Sequence, residues 1–356
     1  MSDFEITCLS KEYEEPYRLF VQKCPESSLY HTLEWLNVIE NTYNYKPHYL
    51  IAVKDNKVIG ALPLFFVSTL IGGKRLISLP FSHKVNLLYE NEEVLKQLLL
   101  SAERLKIITK SQYVQFKPAN NLDKFTNILE LYKSKTFYQT TLSLSTTHDK
   151  IWKQFSNSTR RAIRKAERSS MVIHVSDTLD KIDTFYELEV ETRKRQGSPP
   201  YSFKFFRIFR DKFGGNGMAR LYLASQDHHF LAGIIVTYHN NIATYAYGGS
   251  INNKLKMQMR PNNLLFWKAI QDAQRLGCKW FDFGTTHSDN AGLLRFKSGW
   301  GGETKKIPYY FLLSPSQKAP NQDRNSIVHK IARGMIKRTP KVILRSIGPH
   351  LLRQLA

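Results

Sequence analysis

Apolar residues first alternate with polar ones from Tyr49 onward. Residues 49–53 read as a strand, Asp55-Asn56 as a turn, and 58–66 as a second strand. Gly72-Gly73 makes the next turn, and 76–80 a third strand. Asx pairs between apolar runs signal hairpins, because Asn and Asp tolerate left-handed turn geometry. The period then lengthens: Leu95, Leu98, Leu99, Ala102 and Leu105 recur at helical spacing within 92–109. A short strand, 113–116, follows. Residues 1–48, ahead of this meander, read as helices and loops, with 34–39 on an amphipathic helix.

The same order returns later. Residues 220–225 read as a strand, Asp227-His228 as a turn, and 230–239 as a strand. Asn240-Asn241 is a turn and 242–248 a strand. A helix then shows Phe266, Ala269, Ile270 and Ala273 on one face; Gly277 closes it before the strand 280–283. Tyr49-Leu50-Ile51-Ala52 parallels Arg220-Leu221-Tyr222-Leu223-Ala224, an offset of about 172 residues from Ala52 to Ala224. Lys57-Val58-Ile59-Gly60 likewise answers Phe230-Leu231-Ala232-Gly233. Internal repetition decides architecture more than any single motif. It predicts two copies of a β-β-β-α-β unit, the second more elaborate. At 356 residues the chain exceeds the ~250–300 at which one core stops growing. The expected domains are 1–150 and 151–315, followed by a tail, 316–356.

Composition adds the partner class. The hydrophobic fraction, 42%, is that of a folded soluble protein. Fifty-two Lys and Arg against thirty Asp and Glu give a net charge of +22 and a pI near 9.8. Such charge argues for anionic partners rather than for a fold: nucleic acid, an anionic membrane surface, or a phosphate-bearing substrate. Cys8, Cys24 and Cys278 form no CxxC pair and no metal-ligand spacing, which suits a reducing compartment. The first residues carry no signal pattern, and the longest apolar run, 58–71, is shorter than the ~20 residues that span a bilayer. The expected location is the cytoplasm, including the inner face of the membrane.

Two segments concentrate the charge. In 157–168, Arg160, Arg161, Arg164, Lys165 and Arg168 share one helix face, with Ser158 or Thr159 as the expected N-cap. Like charges four residues apart repel, so this face calls for an anion; a merely solvated basic face is the plain alternative. From Arg324 onward the tail holds eight Lys or Arg and no acid. Ile327, Val328, Ile331, Met335 and Ile336 precede Pro340, and Val342, Ile343, Leu344, Ile347, Leu351 and Leu352 follow it. A basic amphipathic tail suits an anionic surface, or packing on the protein's own.

The densest stretch runs from Tyr245 to Trp300. It joins Gly248-Gly249, the break Arg260-Pro261-Asn262-Asn263, the buried strand ending Asp282-Phe283-Gly284, a polar loop with His287 and Asp289, and Phe296-Lys297-Ser298-Gly299-Trp300-Gly301-Gly302.

Taken together, these motifs resemble the FemAB-like members of the Gcn5-related N-acyltransferase superfamily. That group includes peptidoglycan interpeptide-bridge aminoacyltransferases and exopolysaccharide-associated acetyltransferase-like proteins. The resemblance covers residues 30 to about 312. It rests on His31-Thr32-Leu33-Glu34-Trp35-Leu36, Ile59-Gly60-Ala61-Leu62-Pro63-Leu64, Arg75-Leu76-Ile77-Ser78-Leu79-Pro80-Phe81, Arg160-Arg161-Ala162-Ile163-Arg164-Lys165-Ala166, Asp282-Phe283-Gly284 and 296–301. It implies an α/β fold: tandem acetyltransferase-like β-β-β-α-β units with mixed sheets, plus the basic helical tail. Two departures stand out. The Gly-rich pyrophosphate loop of acetyl-CoA enzymes is replaced by Lys256-Met257-Gln258-Met259-Arg260-Pro261-Asn262-Asn263, and the long coiled-coil arm of some members is absent.

The resemblance implies acyl or aminoacyl transfer to an amino group of a cell-envelope precursor, such as a peptidoglycan or exopolysaccharide intermediate. The donor is acyl-CoA (such as acetyl-CoA) or aminoacyl-tRNA. Acyl transfer passes through a tetrahedral oxyanion that needs a donor or cation. Lys297 is the cation the resemblance places there; an exposed strand-end lysine is the plain alternative. Asp282 suits proton acceptance or a loop cap, and His287 is a base candidate. Arg160, Arg161, Arg164, Lys165, Arg260, Asn262, Phe283, Gly284, Phe296 and Trp300 complete the expected substrate-binding set, with no metal. A phosphate-bearing precursor, tRNA and an anionic membrane surface are the expected partners. A non-catalytic anion-binding protein on a degenerate transferase scaffold, bound to RNA or membrane, is the competing reading.

Overall fold

The hairpins form where the Asx-rich pairs stand. Asp55-Asn56, Asp227-His228 and Asn240-Asn241 all have φ between 45° and 62°, the left-handed region that two-residue hairpin turns demand. The computed structural model describes residues 3–82, 84–118, 122–126, 128–315, 317 and 327–355. In chain order these form β1 (Glu5–Cys8), α1 (Glu14–Lys23), α2 (Leu33–Tyr43), β2 (Lys46–Lys54), β3 (Lys57–Thr69), β4 (Gly73–Ser78), β5 (Leu88–Tyr89), α3 (Glu92–Ile108) and β6 (Tyr113–Phe116). There follow β7 (Leu131–Ser143), α4 (His148–Gln154), α5 (Asn157–Glu167), β8 (Val172–Ser176), α6 (Ile182–Gln196), α7 (Phe203–Phe213), β9 (Ala219–Gln226), β10 (His229–His239) and β11 (Ile242–Ser250). The remainder is α8 (Lys254–Met257), α9 (Pro261–Arg275), β12 (Trp280–His287), α10 (Ala291–Ser298), β13 (Glu303–Leu313), α11 (Ile327–Arg338) and α12 (Lys341–Leu355).

The chain divides into two compact units. One holds Met1–Phe137, Lys306–Gln322 and Arg353–Ala356; the other holds Tyr138–Lys305 and Asp323–Leu352. Two of the divisions fall inside β7 and β13, so each of these long strands gives residues to both units, and another falls inside α12.

In the first unit the strand order is β1-β2-β3-β4-β6-β13, with β5 beside β3. Neighbours are antiparallel except β4 and β6, which α3 joins in parallel. In the second unit the order is β8-β9-β10-β11-β12-β7, antiparallel through β11, with β11 and β12 parallel around α9. The two internal orders are the same. The likeness extends to a defect: a β-bulge places Ile59 opposite no partner in β3 and Leu231 opposite none in β10. Those residues have the same spacing as Ala52 and Ala224. Ala52 pairs with Gly60 and Ala224 with Ala232, so Gly60 answers Ala232, one residue before the expected Gly233.

Strand β1 corrects the reading of 1–48 as helices and loops alone. Four residues are too few to show alternation, and only pairing with β2, Thr7 opposite Ile51, defines the strand. The cores follow the helical faces. Leu95, Leu98, Leu99 and Ala102 of α3 pack on Leu62, Leu64, Leu76 and Val114 in the first unit. Phe266, Ala269, Ile270 and Ala273 of α9 pack on Ile234, Val236, Phe281 and Phe283 in the second.

Lys117, just after β6, is 6% exposed, and its Nζ donates to Leu79 O at 3.2 Å. Burial pushes its ammonium down to about 7. The unfolded chain therefore holds this proton more tightly than the folded one. Charge burial opposes folding below about pH 7, and the opposition fades as pH rises toward 10.5. Lys117→Met should stabilise the protein at pH 7 by on the order of 3 kcal/mol, the scale of such a shift. Its advantage should shrink by pH 10. Urea titrations of both proteins at the two pH values check this; an equal or weaker variant at pH 7 refutes it.

The tail is helical, as α11 and α12; Arg324 lies outside the described residues. In the second unit Leu344 is fully buried, Gly348 sits against Pro200, and Arg345 and Lys341 pair with Glu187 and Glu191 of α6. Ile331, Met335, Val342, Ile343 and Ile347 remain 44–75% exposed. No helix among the described residues is long and apolar enough to cross a membrane.

Candidate active site

In the second unit β11 and β12 run side by side for only three residue pairs, the last being Thr244 opposite Asp282. Beyond it they part. β11 bulges at Ala246, since Tyr245 and Tyr247 face consecutive β10 residues. β12 turns through Gly284, whose φ of +70° favours a residue without Cβ. Asp282 holds that turn: Oδ1 accepts from Gly284 N–H at 2.8 Å and Oδ2 from the Gln139 amide at 2.5 Å. The carboxylate is thus a loop brace, with both oxygens engaged.

Lys297 faces the same turn. The strand-end alternative fails, because Lys297 lies on α10 and is 2% exposed. Its Nζ donates to Gly284 O at 2.9 Å and Thr285 O at 3.3 Å, which leaves one N–H of the ammonium. Burial pushes this ammonium down to about 8, against the pull of the Asp282 carboxylate. One residue beyond Thr285 on β12, the Thr286 hydroxyl is buried with no hydrogen-bond partner among the described residues. A buried cation and an unpaired hydroxyl where two strands part suit a developing negative charge.

The helix that carries Lys297 rests on aromatic rings. Trp300 is fully buried, with Phe155, Phe266, Phe283 and Phe296 at 5.1–6.0 Å between ring centroids. The sequence places Phe283 and Trp300 among the expected substrate-binding residues. Their complete burial makes them the floor under α10 instead, and Phe296 is the half-buried member.

The basic helix adjoins this floor. Ser156 N–H donates to Gly299 O at 2.9 Å, and a Cβ on Gly299 would lie 2.6 Å from Thr159 Oγ1. Gly301, at φ +73°, would place a Cβ 2.3 Å from Gln154 O. Only glycine permits these approaches. Ser156, rather than Ser158 or Thr159, caps α5 by accepting from Thr159 N–H at 3.2 Å. Thr159, Ile163 and Ala166 are buried, so Arg161, Arg164, Lys165 and Arg168 point outward. Arg160 is half-buried and bonds Asn157, while Arg164 lies 5.6 Å over the Trp152 ring. None of the five joins an ion pair among the described residues.

The remaining expected residues lie elsewhere. Arg260 is exposed in the left-handed region and Asn262 half-buried in the first turn of α9. His287 ends β12, 6% exposed; its Nδ1 accepts from Asp289 N–H at 3.2 Å, with the Asp289 carboxylate 3.3 Å away. The start of α9 is poorly made for a pyrophosphate. Pro261 has no N–H, and those of Asn263 and Leu264 turn to Arg260 O, leaving only that of Asn262 in the first turn. A coenzyme A cradle of successive N–H groups does not fit here. Sequence reasoning missed Gln139 and Thr286. Gln139 lies 143 residues from its partner, and nothing local marks either side chain.

A family profile described as an acetyltransferase (GNAT) domain matches residues 153–298, from α4 to the end of α10. The lipid II:glycine glycyltransferase of Staphylococcus aureus is 25% identical over 230 residues, covering 58% of this chain and 52% of that one. The chain thus spans about half the length of the curated relatives it matches. The crystal structure of FemX superposes with a TM-score of 0.69 at 18% identity, over 87% of this chain and 97% of that one. A tandem GNAT protein from the clavulanic acid biosynthesis pathway gives 0.56 at 14% identity, over 88% and 99%. With the repeated β-β-β-α-β order, the parted strands and the lysine-bearing helix, residues 153–298 match an acetyltransferase (GNAT) domain, and the chain is similar to FemAB-like proteins in sequence and in fold.

Proposed function

We propose that the chain transfers an acyl group, and specifically an aminoacyl group, to an amino nitrogen of a phosphate-bearing cell-envelope precursor. The observation that carries this is the buried Lys297 ammonium, held by two carbonyls where β11 and β12 part. A neutral amine attacks the donor's ester carbonyl, and the oxygen gains charge as the tetrahedral intermediate forms. The third N–H of Lys297 meets that charge, the Asp282 brace fixes the turn presenting Gly284 O, and Thr286 offers a second donor. Collapse expels the donor's alcohol with the proton the amine loses.

Aminoacyl-tRNA is the donor we favour. The start of α9 lacks a pyrophosphate cradle, whereas α5 presents an unpaired cationic face to a polyanion. The glycyltransferase that this chain resembles takes its name from lipid II and glycine, which supports a lipid-linked peptidoglycan precursor as acceptor. The reaction would then take place in the cytoplasm, at the inner face of the membrane. There the outward side chains of α11 and α12, Ile331, Met335, Val342 and Ile343 among basic residues, would meet anionic lipid.

The test offers aminoacyl-tRNA and acetyl-CoA separately, with an amine-bearing precursor extract, and follows labelled product. Transfer from aminoacyl-tRNA alone is expected. Transfer from acetyl-CoA alone would overturn the donor assignment, and none from either would leave an anion-binding protein. In parallel, tRNA affinity should fall steeply with salt, and Arg160→Ala with Arg161→Ala should shallow the log–log slope by about 1–2. An unchanged slope would assign α5 to solvent.

A further inference from the structure

The first unit carries two pairs of large aliphatic side chains that stand clear of its core. Leu70 and Ile71, at the turn between β3 and β4, are 97% and 74% exposed. Ile107 and Ile108, at the end of α3, are 68% and 77% exposed. Both pairs lie at one end of the sheet. Gln112, which follows α3, donates its N–H to Lys74 O at 2.8 Å, and its amide would lie 2.7 Å from a Cβ on Gly73.

The tips are held, not frayed. Thr69 Oγ1 accepts from Gly72 N–H and from the buried Arg75 guanidinium, each at 3.1 Å. Arg75 also donates to Gln354 O at 3.0 Å, while Ile71 N–H donates to the Gln354 side chain at 3.4 Å. Thr109 closes α3 by donating to Leu105 O at 2.7 Å. Rigid turns that display four aliphatic side chains to water expose surface whose burial is worth ~1.5–3 kcal/mol per residue.

Cations surround them. Lys74, Arg104 and Lys110 are exposed and join no ion pair among the described residues, and the neighbouring acid, Glu103, is half-buried. The tips project outward and carry no Tyr or Trp anchor of the kind that marks protein interfaces. Projecting aliphatic residues within a ring of cations complement a fluid apolar layer beneath anionic headgroups.

We propose that this end of the first unit docks on an anionic lipid bilayer. Leu70, Ile71, Ile107 and Ile108 enter the boundary between headgroups and acyl chains, while Lys74, Arg104 and Lys110 meet lipid phosphates. The proposal rests on the lipid-linked acceptor for its place in the reaction. Its test needs neither donor nor acceptor, so the two readings fail separately.

The full-length protein is floated with vesicles of phosphatidylcholine alone and with one-third phosphatidylglycerol. Binding to the anionic vesicles only is expected. The pairs Leu70→Ser with Ile71→Ser, and Ile107→Ser with Ile108→Ser, should each weaken it at least 10-fold without moving the melting temperature. Parent-like binding by both pairs overturns the proposal, as does equal binding to neutral vesicles or none to either. Weakened binding rescued by Leu70→Phe with Ile71→Phe, where Ser fails, confirms insertion over a specific protein-like contact.

Discussion

Lys297→Ala should lower turnover by roughly 100–1,000-fold and leave substrate affinity nearly unchanged. That is the scale for losing one donor to an oxyanion, an interaction made mainly in the transition state. Lys297→Arg should recover little, because a planar guanidinium cannot serve both carbonyls and aim a further N–H at the oxyanion as a compact ammonium does. The pH profile provides a second signature. Burial sets this ammonium at about 8, so parent turnover should fall as pH rises through that value. Asp282→Asn should move the fall lower, since the Asp282 charge holds the ammonium up. Single-turnover kinetics with melting controls decide the matter. A folded Lys297→Ala protein that turns over normally would pass the role to backbone N–H groups.

Trp300→Ala should cost about 3–5 kcal/mol, the range for emptying a large aromatic site in a packed core. The ring is fully buried among Phe155, Phe266, Phe283 and Phe296, and α10 stands on it. Turnover should fall as well, because Lys297 is three residues away on the helix that loses its seat. Trp300→Phe should restore most of both. Urea denaturation gives the energy; a loss below about 1 kcal/mol would mean that neighbouring rings close the gap and the floor is not rigid.

The hairpins were legible because Asp55-Asn56, Asp227-His228 and Asn240-Asn241 carry their geometry in their own side chains. The repeat was legible for a related reason, since equal spacing survives sequence drift. Local chemistry reaches no further. Ser156, Ser158 and Thr159 are all competent caps; tertiary packing of Thr159 beside Gly299 selects Ser156. Phe283 and Trp300 have a composition that suits a ligand wall and a core equally, and only their burial separates the two. Motif spacing brings Lys297 near aromatic residues, but the two carbonyls that hold its ammonium come from a strand more than ten positions earlier. A fold is needed to bring them there.

The division of β7 and β13 between the units has a consequence for biosynthesis. β6 finds its antiparallel neighbour in residues 310–313, which leave the ribosome nearly two hundred positions later. The N-terminal part of the first sheet must wait through translation of residues 138–305, most of the second unit, with that edge open. Nascent chains of this protein should therefore engage chaperones that shield exposed strand edges, and a stall before residue 306 should yield aggregation rather than a stable half.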